Sequence, residues 1–277
     1  MRWSIVCTVL SISMLSLVSD LTAQQSIFPD KALEAVVRNY VFEKRNNDQP
    51  IVEDDVVNIS TIKGHNKGIK DLTGLEKCRS LALLDLAGNE VTKIDAIAGL
   101  KNIQSLDLSK NKITDISPIA GLTKLQYLQL SDNQITDLSA VSRLENLRSL
   151  YISNNKIQNL APVASLKKMW SLYADGNQIA DLGPLASTDK LDSLDIRGNQ
   201  VADLSPLRGR ESWKFLFLDN NKVTDISVLV QTAKAANAKP DRSASFWQVF
   251  LAGNPLSDAA KTQQLAELKN QTKVVDF

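Results

Sequence analysis

Cysteine is nearly missing from this chain of 277 residues: it has only Cys7 and Cys78. Cys7 falls in a leader-like stretch described below, so the remainder cannot close a disulfide within itself. Histidine is scarcer, with His65 alone. A histidine-based nucleophile, base and orienter set therefore has almost no candidates. HExxH, CxxC, GxxxxGK[ST] and GxSxG are all absent. Residue counts leave open a carboxylate-pair glycosidase, but that chemistry needs a cleft. An excess of one charge is also lacking, with 32 Lys and Arg against 31 Asp and Glu. No basic run stands out, so nothing favours nucleic acid as a partner. Aromatic residues make up only 5%, which makes their placement informative.

Long uncharged apolar stretches are absent too, except at the start. Arg2 precedes the mostly apolar run Trp3 to Val18, and Leu21, Thr22 and Ala23 provide a small-residue exit. This is the layout of a secretory leader over residues 1–23, cleaved after Ala23. The alternative, an N-terminal membrane anchor, requires about 18 or more apolar residues. The mature chain is expected to be secreted or periplasmic, monomeric and without a membrane-spanning segment.

What the chain does have is a beat. Asn89, Asn111, Asn133, Asn155, Asn177, Asn199 and Asn221 follow one another at a constant step of 22 residues. Around each runs a phrase of the form LxxLxLxxNx[IV]xx[IL]xx[IVL], as in Leu81, Leu84, Leu86, Asn89, Val91, Ile94 and Ile97. Fixed periods of this size mark a leucine-rich-repeat solenoid. The spacing changes within each phrase. Leucines two apart share one side of a strand; apolar residues three apart suit a 3₁₀ turn. The fold class is therefore α/β. A leucine-rich-repeat solenoid is expected, with a curved parallel β-sheet on the concave face, 3₁₀ or short helical turns on the convex face, and helical caps at both ends.

Each asparagine carries both a donor and an acceptor. It can satisfy backbone groups of its own coil and of a neighbouring one, forming a structural ladder. Lys67 stands one step before Asn89, in a degenerate first coil. Cys78 holds the slot of Leu100, which points to a small buried hydrophobe. His65 sits in the bend of that first coil and is expected to be a loop residue.

Residues 24–58 are expected to form a helical N-terminal cap, 59–256 the solenoid, and 257–277 a closing helix and tail. Leu33, Val36, Val37, Tyr40 and Val41 make one apolar helical face, with Asp30 as its cap. After Asn221 the next asparagine of the phrase is Asn254, 33 residues on, and the inserted residues Val228 to Ala238 predict a true helix. Trp247 to Leu251 is expected to be the last core strand. Thr188 and Arg210 replace the apolar residue of the Leu100 slot, which predicts less regular packing there.

The segments IFPDKALEAVVRNY, GIKDLTGLE and the repeats of type LxxLxLxxNxITDISPIAGLTK resemble the internalin family across residues 26–256. That resemblance implies a secreted or surface bacterial protein with a helical cap and 22-residue repeats, binding partners on its concave face. No wall-sorting motif is visible near Val274–Phe277, so covalent wall attachment is not expected.

Positions between the core leucines alternate outward. They place Tyr127, Tyr151 and Tyr173 on consecutive strands, and Phe215, Phe217 and Phe250 near the C-terminal end. Asp175, Arg197 and Asp219 share a third outward row, which suggests a charge ladder. These nine residues are the candidate partner-binding set. The partner is expected to be a surface or envelope protein, with a glycan as the alternative. The rings could instead only stabilise the sheet by stacking, and the 227–245 insertion could cover the phenylalanines. A phosphatase-regulator-like scaffold and a structural spacer are the other readings. The aspartates of the TDI phrase (Asp115, Asp137, Asp225, with Asp181 and Asp203) precede tight turns and are expected to cap them. No catalytic residue, cofactor or metal site is assigned.

Overall fold

The fold is a stack of coils whose strands form one sheet, in a computed structural model that describes residues 25–211, 213–241 and 243–277. The leader-like residues 1–23 lie outside the described residues. Ten strands pair in sequence order, β1 to β10, and every pair is parallel. β1 is Thr61–Lys63, β2 Leu83–Asp85, β3 Ser105–Asp107, β4 Tyr127–Gln129, β5 Ser149–Tyr151, β6 Ser171–Tyr173, β7 Ser193–Asp195, β8 Phe215–Phe217, β9 Gln248–Phe250 and β10 Val274–Asp276. The register follows the sequence period: Leu84 lies beside Leu106, Leu106 beside Leu128, and Leu150 beside Leu172. These leucines are fully buried. The convex side is a row of short 3₁₀ turns, such as Ser117–Gly121, Ser139–Arg143, Ala161–Ser165 and Gly183–Ser187.

The asparagines form the expected ladder, and the ladder has a direction. The Asn111 Oδ1 accepts from the Val91 N–H at 3.0 Å, and its Nδ2 donates to the Leu86 and Leu108 carbonyls at 3.0 and 3.1 Å. Each amide thus reaches back to the preceding coil. This explains Lys67: the first coil has no predecessor to serve. Asn89 instead satisfies the Lys67 and Ile69 N–H groups of that coil. Just before each ladder residue the backbone enters the left-handed region, with φ 55° at Lys110 and 65° at Gly176.

The N-terminal cap consists of helices α1 (Lys31–Arg38) and α2 (Glu53–Val56). Asp30 caps α1, accepting from the Ala32 and Leu33 N–H groups. Leu33, Val36, Val37 and Val41 are buried, whereas Tyr40 is partly exposed and lies past the helix. The Tyr40 hydroxyl accepts from the Lys63 N–H at 2.9 Å, which satisfies part of the open edge of β1. Cys78 is fully buried, and burial, with Glu76 adding, pushes its thiol pKa to about 12.

The C-terminal end corrects one expectation. The tail is not merely a helix and loose end, and Trp247 to Leu251 is not the last strand. After a π-helical stretch, Ala260–Gln264, and helix α4 (Leu265–Gln271), β10 joins the sheet beside β9. The inserted helix α3 (Ser227–Asn237) takes the place of a convex 3₁₀ turn and packs against α4. Arg210 is buried in its leucine slot. Its Nη2 donates to the Leu185 carbonyl at 2.6 Å and its Nη1 to those of Thr188 and Leu191, while the guanidinium lies 5.2 Å from the centre of the Trp213 ring. The irregular packing expected on the late convex side is thus two buried polar residues in leucine's place: this arginine, and Thr188, whose hydroxyl donates to the Leu185 carbonyl at 2.8 Å.

Candidate functional site

Strand alternation places two aromatic clusters on the concave face. On β5 and β6, Tyr151 and Tyr173 are direct register partners; their rings stack with centroids 4.8 Å apart and planes 11° from parallel. Tyr127 on β4 pairs with Ser149 and so meets Tyr151 diagonally, at 5.3 Å and a tilt of 44°. Offset and tilted contacts of this kind add attraction beyond area burial. All three rings remain partly exposed. Burial raises the Tyr127 pKa to about 12, with Asp107, Tyr151 and Asp85 adding repulsion. Tyr173 shifts upward for the same leading reason. The Tyr127 and Tyr173 phenols therefore stay neutral, each with a hydroxyl donor available.

The second cluster is continuous as well. Phe217 stacks on Phe250 at 4.8 Å and on Phe215 at 5.8 Å. Helix α3 does not cover it: α3 stands in the convex row, where the Arg208 Nη1 donates to the Gln231 Oε1 and the Gly209 N–H to the Thr232 Oγ1. The three phenylalanines keep partial exposure.

The charged row departs from expectation. Arg197 does not bridge Asp175 and Asp219. It forms an ion pair with Asp195 two residues earlier on the same face, through Nε at 2.9 Å and Nη2 at 2.5 Å. Asp195 is nearly fully buried. The Asp195 hydrogen bond chiefly raises the Arg197 pKa, while Asp175 and Asp219 add weaker attraction. Asp175 accepts from the Ser153 hydroxyl, and Asp219 from the Ala252 N–H at 3.0 Å. Arg197 also lies 5.0 Å from the Phe217 ring centre, so the Asp195–Arg197 pair borders the phenylalanine cluster.

Two features were missed in the sequence. Asn254 is an eighth member of the ladder: its Oδ1 accepts from the Val223 N–H at 3.1 Å and its Nδ2 donates to the Leu218 carbonyl at 2.9 Å. Its unequal spacing hid it, although the following Pro255 and Leu256 mark a turn. His65 is more than a loop residue, because its Nε2 lies 2.9 Å from the Asp85 carboxylate at the concave edge. The TDI aspartates cap their turns as expected: Asp115, Asp137, Asp181, Asp203 and Asp225 each accept from the N–H two residues on. Among the described residues no helix is long and apolar enough to cross a membrane.

A leucine-rich-repeat family model, spanning two repeat copies, matches residues 79–121, 101–143 and 123–167. No curated protein sequence matches the chain. Among solved structures, internalin C2 of Listeria monocytogenes is 36% identical, covering 66% of this chain and 91% of that one, with a TM-score of 0.56. The functional domain of InlJ from the same organism, described as including a cysteine ladder, is 22% identical over 90% of this chain and 56% of its own, at a TM-score of 0.69. A plant peptide hormone receptor, RGFR1 in complex with RGF2, is 19% identical over 73% of this chain and 33% of that one, at 0.58. The last two share the fold.

Proposed function

The chain belongs to the internalin-like family of leucine-rich-repeat proteins, and from that membership we propose that it is a non-catalytic recognition module, exported by its leader-like residues 1–23, that binds an envelope or surface protein on its concave face. The observation that carries this reading is the half-exposed stack of Tyr127, Tyr151 and Tyr173. Its rings fix one another in place, so little side-chain freedom is lost when a partner covers them. Aromatic anchors of this kind dominate interface energetics. Phe215, Phe217 and Phe250 form a second anchor, rimmed by the Asp195–Arg197 pair. Among the described residues Asp175 and Asp219 accept hydrogen bonds but form no ion pair, so this face suits a partner with basic groups around an apolar tip.

The test is photo-crosslinking of residues 24–277, with the probe at position 129 between the tyrosines, against intact envelope. The triple change Tyr127→Ala, Tyr151→Ala, Tyr173→Ala is expected to abolish the crosslinked species while circular dichroism keeps its shape. The same adducts in the triple variant would overturn the concave-face reading.

A further inference from the structure

A second surface lies on the flank where each coil passes from its convex turn into its strand. Two positions recur there, nine and seven residues before the ladder asparagines. The outer position reads Asn102, Lys124, Asn146, Lys168 and Lys190; the inner one reads Gln104, Gln126, Arg148 and Trp170. All of these except Asn102 and Trp170 line a groove of about 520 Å³, with no carboxylate among them; Asn102 and Trp170 stand beside it, against Lys124 and Arg148.

Two of the lysines are held by neutral groups. The Lys124 Nζ donates to the Asn102 Oδ1 at 2.8 Å, and the Lys168 Nζ to the Asn146 Oδ1 at 2.7 Å. Each asparagine is itself anchored by donating to a backbone carbonyl, that of Arg79 at 3.0 Å and that of Thr123 at 2.8 Å. An amide oxygen orients an ammonium without cancelling its charge. Lys124, Arg148, Lys168 and Lys190 enter no ion pair among the described residues. The nearest acid of the inner row, Asp192, is already paired with Lys214 at 2.7 Å. On a chain of net charge +1, four uncompensated cations lie along three consecutive coil steps, roughly 14 Å of the stack.

We propose that this flank binds a linear anionic polysaccharide, sulfated or carboxylated. The cations form a line in step with the coils, which suits an extended polymer with charge along its length. Between them, Gln104, Gln126 and Asn146 supply amides that can both donate to and accept from sugar hydroxyls. Trp170 is 49% exposed, with Arg148 5.8 Å from its ring centre, and offers an indole surface for the apolar side of a sugar ring. An acidic peptide would be anchored by side chains in apolar pockets, and polar residues line this groove instead. A bilayer would draw on a broad apolar face, and among the described residues Trp170, beside the groove against Arg148, is the one exposed large apolar residue there.

The test uses heparin as the sulfated probe, with polyglutamate and phosphatidylglycerol vesicles as the other arms. Residues 24–277 are expected to bind heparin with an affinity that falls steeply as salt rises. Lys168→Glu with Lys190→Glu weakens binding roughly twentyfold or more, at about fivefold per cation. Trp170→Ala weakens it about fivefold and leaves the salt slope unchanged. The triple tyrosine variant of the concave face retains full heparin binding, which separates this site from the protein-binding one. Failure of the wild-type chain to bind heparin, equal binding by the folded double-lysine variant, or equal affinity for polyglutamate or vesicles would each overturn the proposal.

Discussion

Asn155 fastens its coil to the one before it through Leu130: the Asn155 Nδ2 donates to the Leu130 carbonyl at 3.0 Å, while its Oδ1 accepts from the Ile135 N–H at 2.9 Å. Both bonds are buried. Leucine at position 155 would leave the buried Ile135 N–H unpaired, at about 1–3 kcal/mol, and would take one donor each from the Leu130 and Ile152 carbonyls, which keep Asn133 and Asn177. Asn155→Leu is expected to lower the urea midpoint clearly. Lys156→Ala, on the exposed neighbour, is expected to stay within about 0.5 kcal/mol of the parent. Equal shifts in urea titrations monitored by circular dichroism would refute the ladder's energetic role.

Gly176 precedes a ladder asparagine with φ of 65°. A Cβ there would lie 2.4 Å from the Asn154 Oδ1, whose own amide is committed to Asp132. Gly176→Ala is expected to cost about 1–2 kcal/mol from the left-handed backbone alone. Gly99 has an ordinary φ and open space around it, so Gly99→Ala is expected to be neutral. Thermal melts of the two variants measure the contrast.

Arg210 fills a leucine slot as a desolvated cation, and burial lowers its pKa. Two of its carbonyl partners have other donors, since the Leu185 carbonyl accepts from the Thr188 N–H and the Thr188 carbonyl from the Leu191 N–H. Removing the charge therefore leaves these acceptors paired. Apolar replacements of buried ions are often neutral or stabilising. Arg210→Leu is expected to raise the melting temperature, whereas Arg210→Ala, which opens a cavity beside Trp213, is expected to lower it.

Tyr127 sets an alkaline limit. Its phenol is neutral up to about pH 12 in the fold, against 10.0 for a free tyrosine. A pKa raised by folding contributes stability that is complete below the unfolded value and disappears as pH rises through the folded one. Stability is expected to fall between pH 10 and 12, and Tyr127→Phe is expected to reduce that loss. Phenolate absorbance against pH, followed alongside unfolding, checks both.

The register of seven strands, β2 to β8, was legible because one asparagine per coil fixes which residues face in. From Leu84 to Leu216 the buried side chains fall at the positions that the period dictates. The same period fails after Asn221, where a helix enlarges the coil. Asn254 joins the ladder from an uneven spacing, and β10 has no repeat to announce it. The two aromatic clusters were legible as neighbours on adjacent strands. The pairing of Arg197 was not, because a period aligns residues across coils and says nothing of a neighbour two residues away in the same coil. Asp195 is nearly fully buried, and its desolvated carboxylate holds the guanidinium more firmly than the open aspartates beside it. The basic flank escaped notice because its cations are dispersed 22 residues at a time instead of forming a run.

Because every amide looks backward, the two ends of the molecule are not equivalent. The leading coil can stand first with a lysine in place of the amide, whereas any coil left last by truncation would lose the bonds its successor supplies. Whole 22-residue units could be added or deleted between Asn111 and Asn199 with both ends intact. A cut just after Leu207 would instead strip the Val201 N–H of the Asn221 Oδ1 and leave the Ile196 carbonyl with only one of its two amide donors, so the chain can change length from within but not by ending early.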